Sequence, residues 1–265
     1  MRVYLKEMLK RKDLLFYLVK SGLKAENRNS YLGYFWWLLD PLLNVAIYYT
    51  LMGVLLGRAD RVENFAVFLV IGLVGWRWMN TSVNTSAKAI MKYSSIINQV
   101  YLPKSLFPIA TTFTQTFNFV FGLIIIAIFL LIFGVTPGWQ VVYLPFIILV
   151  QLLFLLAISL FVSYICVFVR DIDNILSHIL RIFFYASPII WEGGRLLQAE
   201  GLQQYAWIFE INPVAIILDS YRAVLMWQTN PQFVGLGVIA FLSIASIFFM
   251  LRHYHKNEYK IIKAL

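Results

Sequence analysis

Charge is what this chain has least of. Only 13% of its 265 residues are Asp, Glu, Lys or Arg, where an ordinary soluble domain carries roughly 25%. Hydrophobic residues make up 61%, and the mean hydropathy is +0.75. A soluble fold of this size cannot hide so much apolar surface, because its outer shell must face water. The shortage of charge therefore excludes a soluble enzyme, a disordered chain and a disulfide-rich secreted module. An all-α polytopic membrane protein remains. The apolar runs are too long and continuous for the alternation of a membrane barrel.

Cysteine is nearly absent. Cys166 stands alone in an apolar run, so it forms no intramolecular disulfide and no thiolate cluster, and it reads as a small packing residue. Long hydrophilic stretches are missing too. No segment between apolar runs is long enough for an ATP-binding fold, and no phosphate loop of the form GxxxxGK[ST] occurs. GxSxG, HExxH and DxxD are likewise absent. Their absence argues against a hydrolase, and the lack of paired carboxylates weakens an ion-coupled carrier. The first residues, MRVYLKEMLKRKDLLFYLVKSGLK, lack the apolar core and cleavage site of a signal peptide.

Six runs have the roughly 20-residue length that a hydrocarbon core requires: residues 36–57, 65–83, 106–133, 143–169, 175–191 and 232–251. The fifth is short and interrupted by His178, Arg181 and Pro188. The net charge of +9 is unevenly placed. Eight basic residues precede the first run. Lys88, Lys92 and Lys104 lie between the second and third, and Arg252, Lys256, Lys260 and Lys263 follow the last. The positive-inside rule then predicts that both termini are cytoplasmic, in contact with anionic lipid and without any need for nucleic acid.

Four segments do not span. Residues 1–30 place Leu5, Met8, Leu9, Phe16, Val19 and Leu23 on one helical face, which predicts a helix lying in the interface plane. In the loop 86–104, Ala89, Ile90, Ile96, Ile97 and Val100 alternate with polar residues, suggesting a short cytoplasmic helix suited to a partner. Residues 192–231 hold two apolar stretches too short to span, broken at Asn212-Pro213, a pattern of re-entrant half-helices. The basic tail 253–265 reads as interfacial or disordered.

Ionisable residues within spans are costly and therefore functional candidates. Asp40 precedes Pro41 and is read either as a helix cap or as a functional group. Arg77, between Trp76 and Trp78, either snorkels to the headgroups or holds a phosphate with its guanidinium fork. His178 and Arg181 share one helical face, and no second ligand stands at metal spacing from His178. Tyr31, Tyr34, Phe35, Trp36 and Trp37 form either an interfacial aromatic belt or a stacking surface for sugar rings.

The order of these features resembles the membrane subunit of ABC-2 exporters, in the branch that moves lipid-linked polysaccharides and teichoic acids. The matching pieces are Tyr31-Leu32-Gly33-Tyr34-Phe35-Trp36 followed by Pro41, Gly72-Leu73-Val74-Gly75-Trp76, Val100-Tyr101-Leu102-Pro103, Val169-Arg170-Asp171-Ile172, Ser187-Pro188, and Asn212-Pro213 with Tyr221-Arg222. One departure is visible: Gly75-Trp76-Arg77-Trp78 stands where the family commonly has Pro-Trp and further aromatics.

The resemblance implies a single transmembrane domain over residues 1–265 that works as a homodimer in a bacterial plasma membrane. Two copies of a separate ABC ATPase would bind ATP and Mg, leaving no cofactor and no catalytic residue in this chain. Residues 87–99 would form the coupling helix, with Ile90, Lys92, Tyr93, Ile96, Ile97 and Asn98 facing the ATPase. Residues 1–30 would form the interfacial helix, and residues 192–231 outer gate helices using Asn212, Pro213, Asp219, Tyr221 and Arg222. Spans one, two and five would enclose a substrate path touched by Arg28, Tyr31, Tyr34, Trp36, Trp37, Arg77 and Arg181. The cargo would be a polyprenyl-diphosphate-linked polymer, with teichoic acid ahead of O-antigen or capsular polysaccharide. Two other classes remain open from the sequence: a membrane enzyme acting on polyprenyl-phosphate lipids, for which Asp171 and Asp173 are the only close acidic pair, and a non-transporting scaffold.

Overall fold

The computed structural model describes residues 2–27, 31–57, 63–97, 101–169, 171–192, 207 and 211–265. These are mostly helical, with no strand among the described residues. The N-terminal helices α1 (Arg2–Lys10) and α2 (Lys12–Asn27) precede a 3-10 turn at Gly33–Phe35 and α3 (Trp36–Tyr48), which continues as a π-helix over Tyr49–Leu55. Then come α4 (Phe65–Ala87), the single turns α5 (Ala89–Lys92) and α6 (Ser94–Ile97), and α7 (Leu106–Ile132). A 3-10 turn at Trp139–Tyr143 leads into α8 (Leu144–Phe168), followed by α9 (Ile172–Ala186), α10 (Pro213–Leu225) and α11 (Phe233–Ala264).

Among the described residues, five helices are long and apolar enough to cross a membrane: Trp36–Leu55, Phe65–Ala87, Leu106–Ile132, Trp139–Phe168 and Phe233–Ala264. The expected fifth span, 175–191, is instead a 15-residue helix that stops at Ala186. A turn at 187–190 follows and carries Ile189, Ile190 and Trp191 into the core. Pro188 cannot continue an α-helix, and the residue before a proline is biased to extended backbone; Ser187 sits at φ −99°, ψ 151°.

The second span is the centre of the bundle. Of its most apolar window 83% is buried, against 17–33% in the other four. Its sequence explains this: the first half, residues 65–76, is apolar on every face and carries Gly72 and Gly75, where other segments come close. A Cβ at Gly75 would lie 2.6 Å from Leu218 of α10, and one at Gly122 of α7 would lie 2.5 Å from Val74. The main core forms around α4 from Phe68, Leu69, Trp78, Phe119, Ile147 and Leu155, with Trp78 stacked on Phe119 at 4.2 Å.

A second core lies at the end where the basic residues collect. Tyr4, Leu18, Ile90, Ile97, Leu102, Phe107, Tyr254 and Ile261 are buried together there. The N-terminal segment is two helices rather than one, and its packed face matches the expected one only in part. Met8 and Val19 pack inward as expected, joined by Leu14, Leu15 and Leu18, while Phe16 is exposed. Gly22 lets α2 approach α7, since a Cβ there would meet Thr114 at 2.9 Å. The tail is neither disordered nor separate, because α11 runs on through it to Ala264.

Candidate functional site

A cleft of about 480 Å³ opens between α3, α4 and α9. Each helix supplies residues at helical spacing. From α3 come Asp40, Pro41, Asn44 and Tyr48; from α4 Trp76, Arg77, Asn80, Thr81 and Asn84; from α9 Ser177, Arg181, Phe184 and Tyr185. The lining thus holds two arginines and one carboxylate, for a formal charge of +2 − 1 = +1. Amides, hydroxyls and aromatic rings surround those charges. Such a wall offers donors and acceptors to sugar hydroxyls, flat faces to apolar ring surfaces, and guanidinium to phosphate.

Arg77 Nη1 donates to Asp40 Oδ2, joining α4 to α3 across the cleft. Asp40 is not a helix cap, since α3 begins at Trp36 and passes through Pro41. Arg77 has a partner within the bundle, and the pair stays partly open to the cleft. The local scaffold is built from side chain to backbone: Asn44 Nδ2 donates to the Asp40 carbonyl at 2.8 Å, and Thr81 Oγ1 to the Arg77 carbonyl at 2.8 Å. Asn84 Nδ2 donates to Asn80 Oδ1 at 2.9 Å. Arg181 lines the same cleft and makes no ion pair among the described residues.

Arg77, Pro41 and Thr81 also line a second cavity of about 230 Å³ between α3, α4 and α7, completed by Trp37, Gln115, Asn118 and Phe119. Trp37 is buried, with its ring 4.8 Å from Phe121 and 6.3 Å from Phe117. It packs α3 on α7 and is no open stacking surface. Tyr31 and Trp36 are exposed at the start of α3. Arg28, and the side chain of Tyr34, lie outside the described residues.

Sequence reading missed Asn44, Asn80, Thr81 and Asn84. The signal was present: Arg77, Asn80, Thr81 and Asn84 recur every three to four residues in a span, and polar groups there are expensive.

At the basic end, the expected single helix over 87–99 is divided. Residue 87 still belongs to α4, and Tyr93 interrupts the rest between α5 and α6. Ile90 and Ile97 are core residues, whereas Lys92 and Ile96 face outward. Tyr93 stacks on Phe107 at 5.0 Å, and Asn98 lies outside the described residues. Lys88 Nζ lies 2.6 Å from Asp173 Oδ2, tying the end of α4 to the start of α9. Next to this segment, Tyr101 donates to Glu258 Oε2 at 2.7 Å, and that bond pushes the phenol up to about 12. Burial lowers Lys104 from its ordinary value, while Glu258 opposes the shift.

The residues expected in an outer gate lie in and before α10, which is buried along nearly its whole length. Asn212 caps it, accepting from the Val214 N–H at 3.0 Å and donating to Ser187 Oγ at 2.9 Å, with Pro213 at the first helical position. Arg222 is fully buried. Its Nη1 donates to the Pro188 carbonyl at 2.6 Å and to Asp219 at 3.0 Å, its Nη2 to the Ile189 carbonyl at 3.0 Å, and its Cζ lies 3.6 Å from the Phe68 ring centroid. Broken backbone beside a membrane span is tolerated only where protein satisfies its polar groups, and Arg222 does that for the 187–190 turn. Tyr221 donates to Gln151 Oε1 at 2.8 Å, and Gln151 Nε2 to the Gly75 carbonyl at 3.0 Å, linking α10, α8 and α4.

The apolar helices thus enclose a polar, net-positive cleft, and the break after α9 is satisfied by Arg222 of α10. Comparison with known proteins gives the family. The model of the ABC-2 type transporter family matches residues 13–226, and the chain belongs to that family. It is 30% identical over 239 residues to the O-antigen export system permease protein RfbA of Myxococcus xanthus, covering 90% of each chain. Two proteins of the same name from Klebsiella pneumoniae are 28% identical (91% of this chain, 93% of the relative) and 27% identical (81% and 80%). The chain is therefore a transport component rather than an enzyme, which sets aside the polyprenyl-phosphate transferase reading.

Proposed function

We propose that this chain is the membrane-spanning subunit of an ATP-driven exporter of a polyprenyl-diphosphate-linked glycan. The observation that carries the reading is the cleft in which Asp40, Arg77 and Arg181 stand among amides, hydroxyls and aromatic rings on three helices. Guanidinium suits the diphosphate, and the neutral polar and aromatic wall suits sugars. The relatives at 27–30% identity are all named O-antigen export permeases. They favour an O-antigen-like polysaccharide over the teichoic acid that the sequence put first.

In this reading two copies assemble, and the faces of α3 and α9 that flank the cleft, with exposed Ile47, Leu51, Ile179 and Ile182, meet across the dimer axis. Two separate ATPase subunits carry ATP and Mg and dock on α5 and α6 beside α1 and α2. Both termini are cytoplasmic, as the basic end requires under the positive-inside rule. Together α9 and α10 make a sixth crossing, and α10 forms part of the outer gate with Asn212, Pro213, Asp219, Tyr221 and Arg222.

The test is reconstitution of the chain with its ATPase in proteoliposomes supplied with lipid-linked O-antigen or with lipid-linked teichoic acid. The expected result is ATP-dependent appearance of polymer on the far side, faster for the glycan. Absence of ATP-dependent movement for either polymer overturns the reading.

A further inference from the structure

Lys104 is fully buried at the turn that leads from α6 into α7. Its ammonium makes no hydrogen bond among the described residues. It lies 3.8 Å from Glu258 Oε1 on α11 and 4.9 Å from the centroid of the Tyr101 ring. Tyr101 donates to the other oxygen of the same carboxylate. A single acid on the C-terminal helix thus grips both sides of Leu102-Pro103, the strap that joins the α5–α6 segment to α7.

This pair is not needed to hold the tail in place. Tyr254 and Ile261 are fully buried on either side of Glu258, and Tyr254 donates to the Leu160 carbonyl at 3.0 Å. Desolvating an ammonium and a carboxylate for a pair 3.8 Å apart is poor stabilisation, and a buried apolar pair would pack as well. What such a pair does supply is inseparability, because neither charge tolerates being left buried alone. Glu258 also follows Asn257, which departs from helical geometry at φ −112°, ψ 15° and whose amide donates to the His253 carbonyl.

The rest of α11 connects this point to the opposite end of the bundle. Its 32 residues extend about 48 Å at 1.5 Å per residue. Near its start Gly235 packs on Ile216 of α10, where a Cβ would come within 2.9 Å of that side chain. The helix, kinked at Asn257 just before Glu258, therefore touches the α5–α6 strap at one end and the buried half-helix α10 at the other.

We propose that Lys104, Glu258 and Tyr101 form a latch that passes movement of the α5–α6 segment into α11 and so to α10, making the C-terminal tail a third member of the ATPase-facing platform. The proposal rests on the ATP-driven export reading above. The three residues are positioning residues: none is required to touch cargo or nucleotide.

The experiment uses the full chain with its ATPase in proteoliposomes, and reads assembly, ATP turnover and polymer exported per ATP. Glu258→Gln and Lys104→Met each leave one charge without its partner and are expected to lower the yield of folded protein, while the complex that assembles keeps ATP turnover within about twofold and loses about tenfold in export per ATP. Glu258→Asp, which keeps the charge, is expected to recover most of the ratio, and Lys260→Ala on the exposed side of the tail to leave it unchanged. Loss of folded protein alone lowers both activities together and leaves their ratio intact. Tyr101→Phe removes one hydroxyl from an exposed ring, so it decides the matter if Lys104→Met does not fold, and is expected to lower the ratio about threefold. Wild-type ratios in Glu258→Gln and Tyr101→Phe overturn the latch alone. A wild-type complex that neither assembles nor exports overturns the export reading and the latch with it.

Discussion

The guanidinium of Arg77 on α4 closes on the carboxylate of Asp40 on α3, the two charges standing 37 residues apart in sequence. Both side chains remain partly open to the cleft, at 34% and 47% of their full exposure. A pair so open is worth roughly 0–1 kcal/mol, so parting the two charges costs little.

Under the proposed export function, Asp40 is expected to compete with cargo for Arg77. Asp40→Asn is expected to tighten the apparent substrate affinity in stimulated ATP turnover about threefold, and Arg77→Ala to weaken it about tenfold, with Arg77→Lys in between. Titration of ATPase stimulation with lipid-linked glycan checks this. Identical curves for Arg77→Ala and Arg77→Lys near the wild type would assign Arg77 to structure.

Ile96 and Ile97 are neighbours with opposite surroundings, one exposed and one in the second core. Ile97→Asp is expected to lower the melting temperature sharply, since burying an unpaired carboxylate costs several kcal/mol. Ile96→Asp is expected to leave melting unchanged and to cut ATP-driven export about tenfold if α6 docks on the ATPase. Normal export by Ile96→Asp would remove α6 from the docking surface.

Gly72 is held by what lies opposite it. A Cβ there would be 2.6 Å from the Ile189 carbonyl and 2.5 Å from Arg222 Nη2, and the carbonyl belongs to a buried turn that cannot recede. Gly72→Ala is expected to cost about 1–3 kcal/mol through overpacking. Arg222→Leu is expected to cost more, because two buried carbonyls lose their donor at about 1–3 kcal/mol each. Thermal unfolding in detergent measures both.

The Tyr221–Gln151–Gly75 chain predicts non-additivity. Tyr221→Phe and Gln151→Leu are each expected to destabilise by about 1 kcal/mol, and the double variant by less than the sum, since the shared bond is lost only once. A strictly additive double variant would show that the bond carries no energy.

Periodicity made the long spans legible. The expected 106–133 and 143–169 match Leu106–Ile132 and Trp139–Phe168 within a few residues, because an unbroken apolar run has no other stable form in hydrocarbon. The α4 face of Arg77, Asn80, Thr81 and Asn84 was equally readable, for polar residues in a span announce themselves by their cost. The interruption at Tyr93 was not readable, and neither was the inward turn of Leu14 and Leu18 with Phe16 left outside. Those depend on which neighbour each apolar face meets, and all the residues involved are apolar enough to suit either side.

By itself the sequence determined that the chain lives in a membrane, which end carries its basic charge, and which residues were too costly to be idle. It did so because desolvation energy is local: each residue bears its cost wherever the chain runs. Only the tertiary structure decided the pairings, Arg77 with Asp40, Arg222 with the carbonyls of Pro188 and Ile189, and Lys104 with Glu258. Several partners of the right charge or polarity exist for each of these side chains. The choice among them is made by distances that exist only once α4 is buried at the centre and α10 and α11 have packed around it.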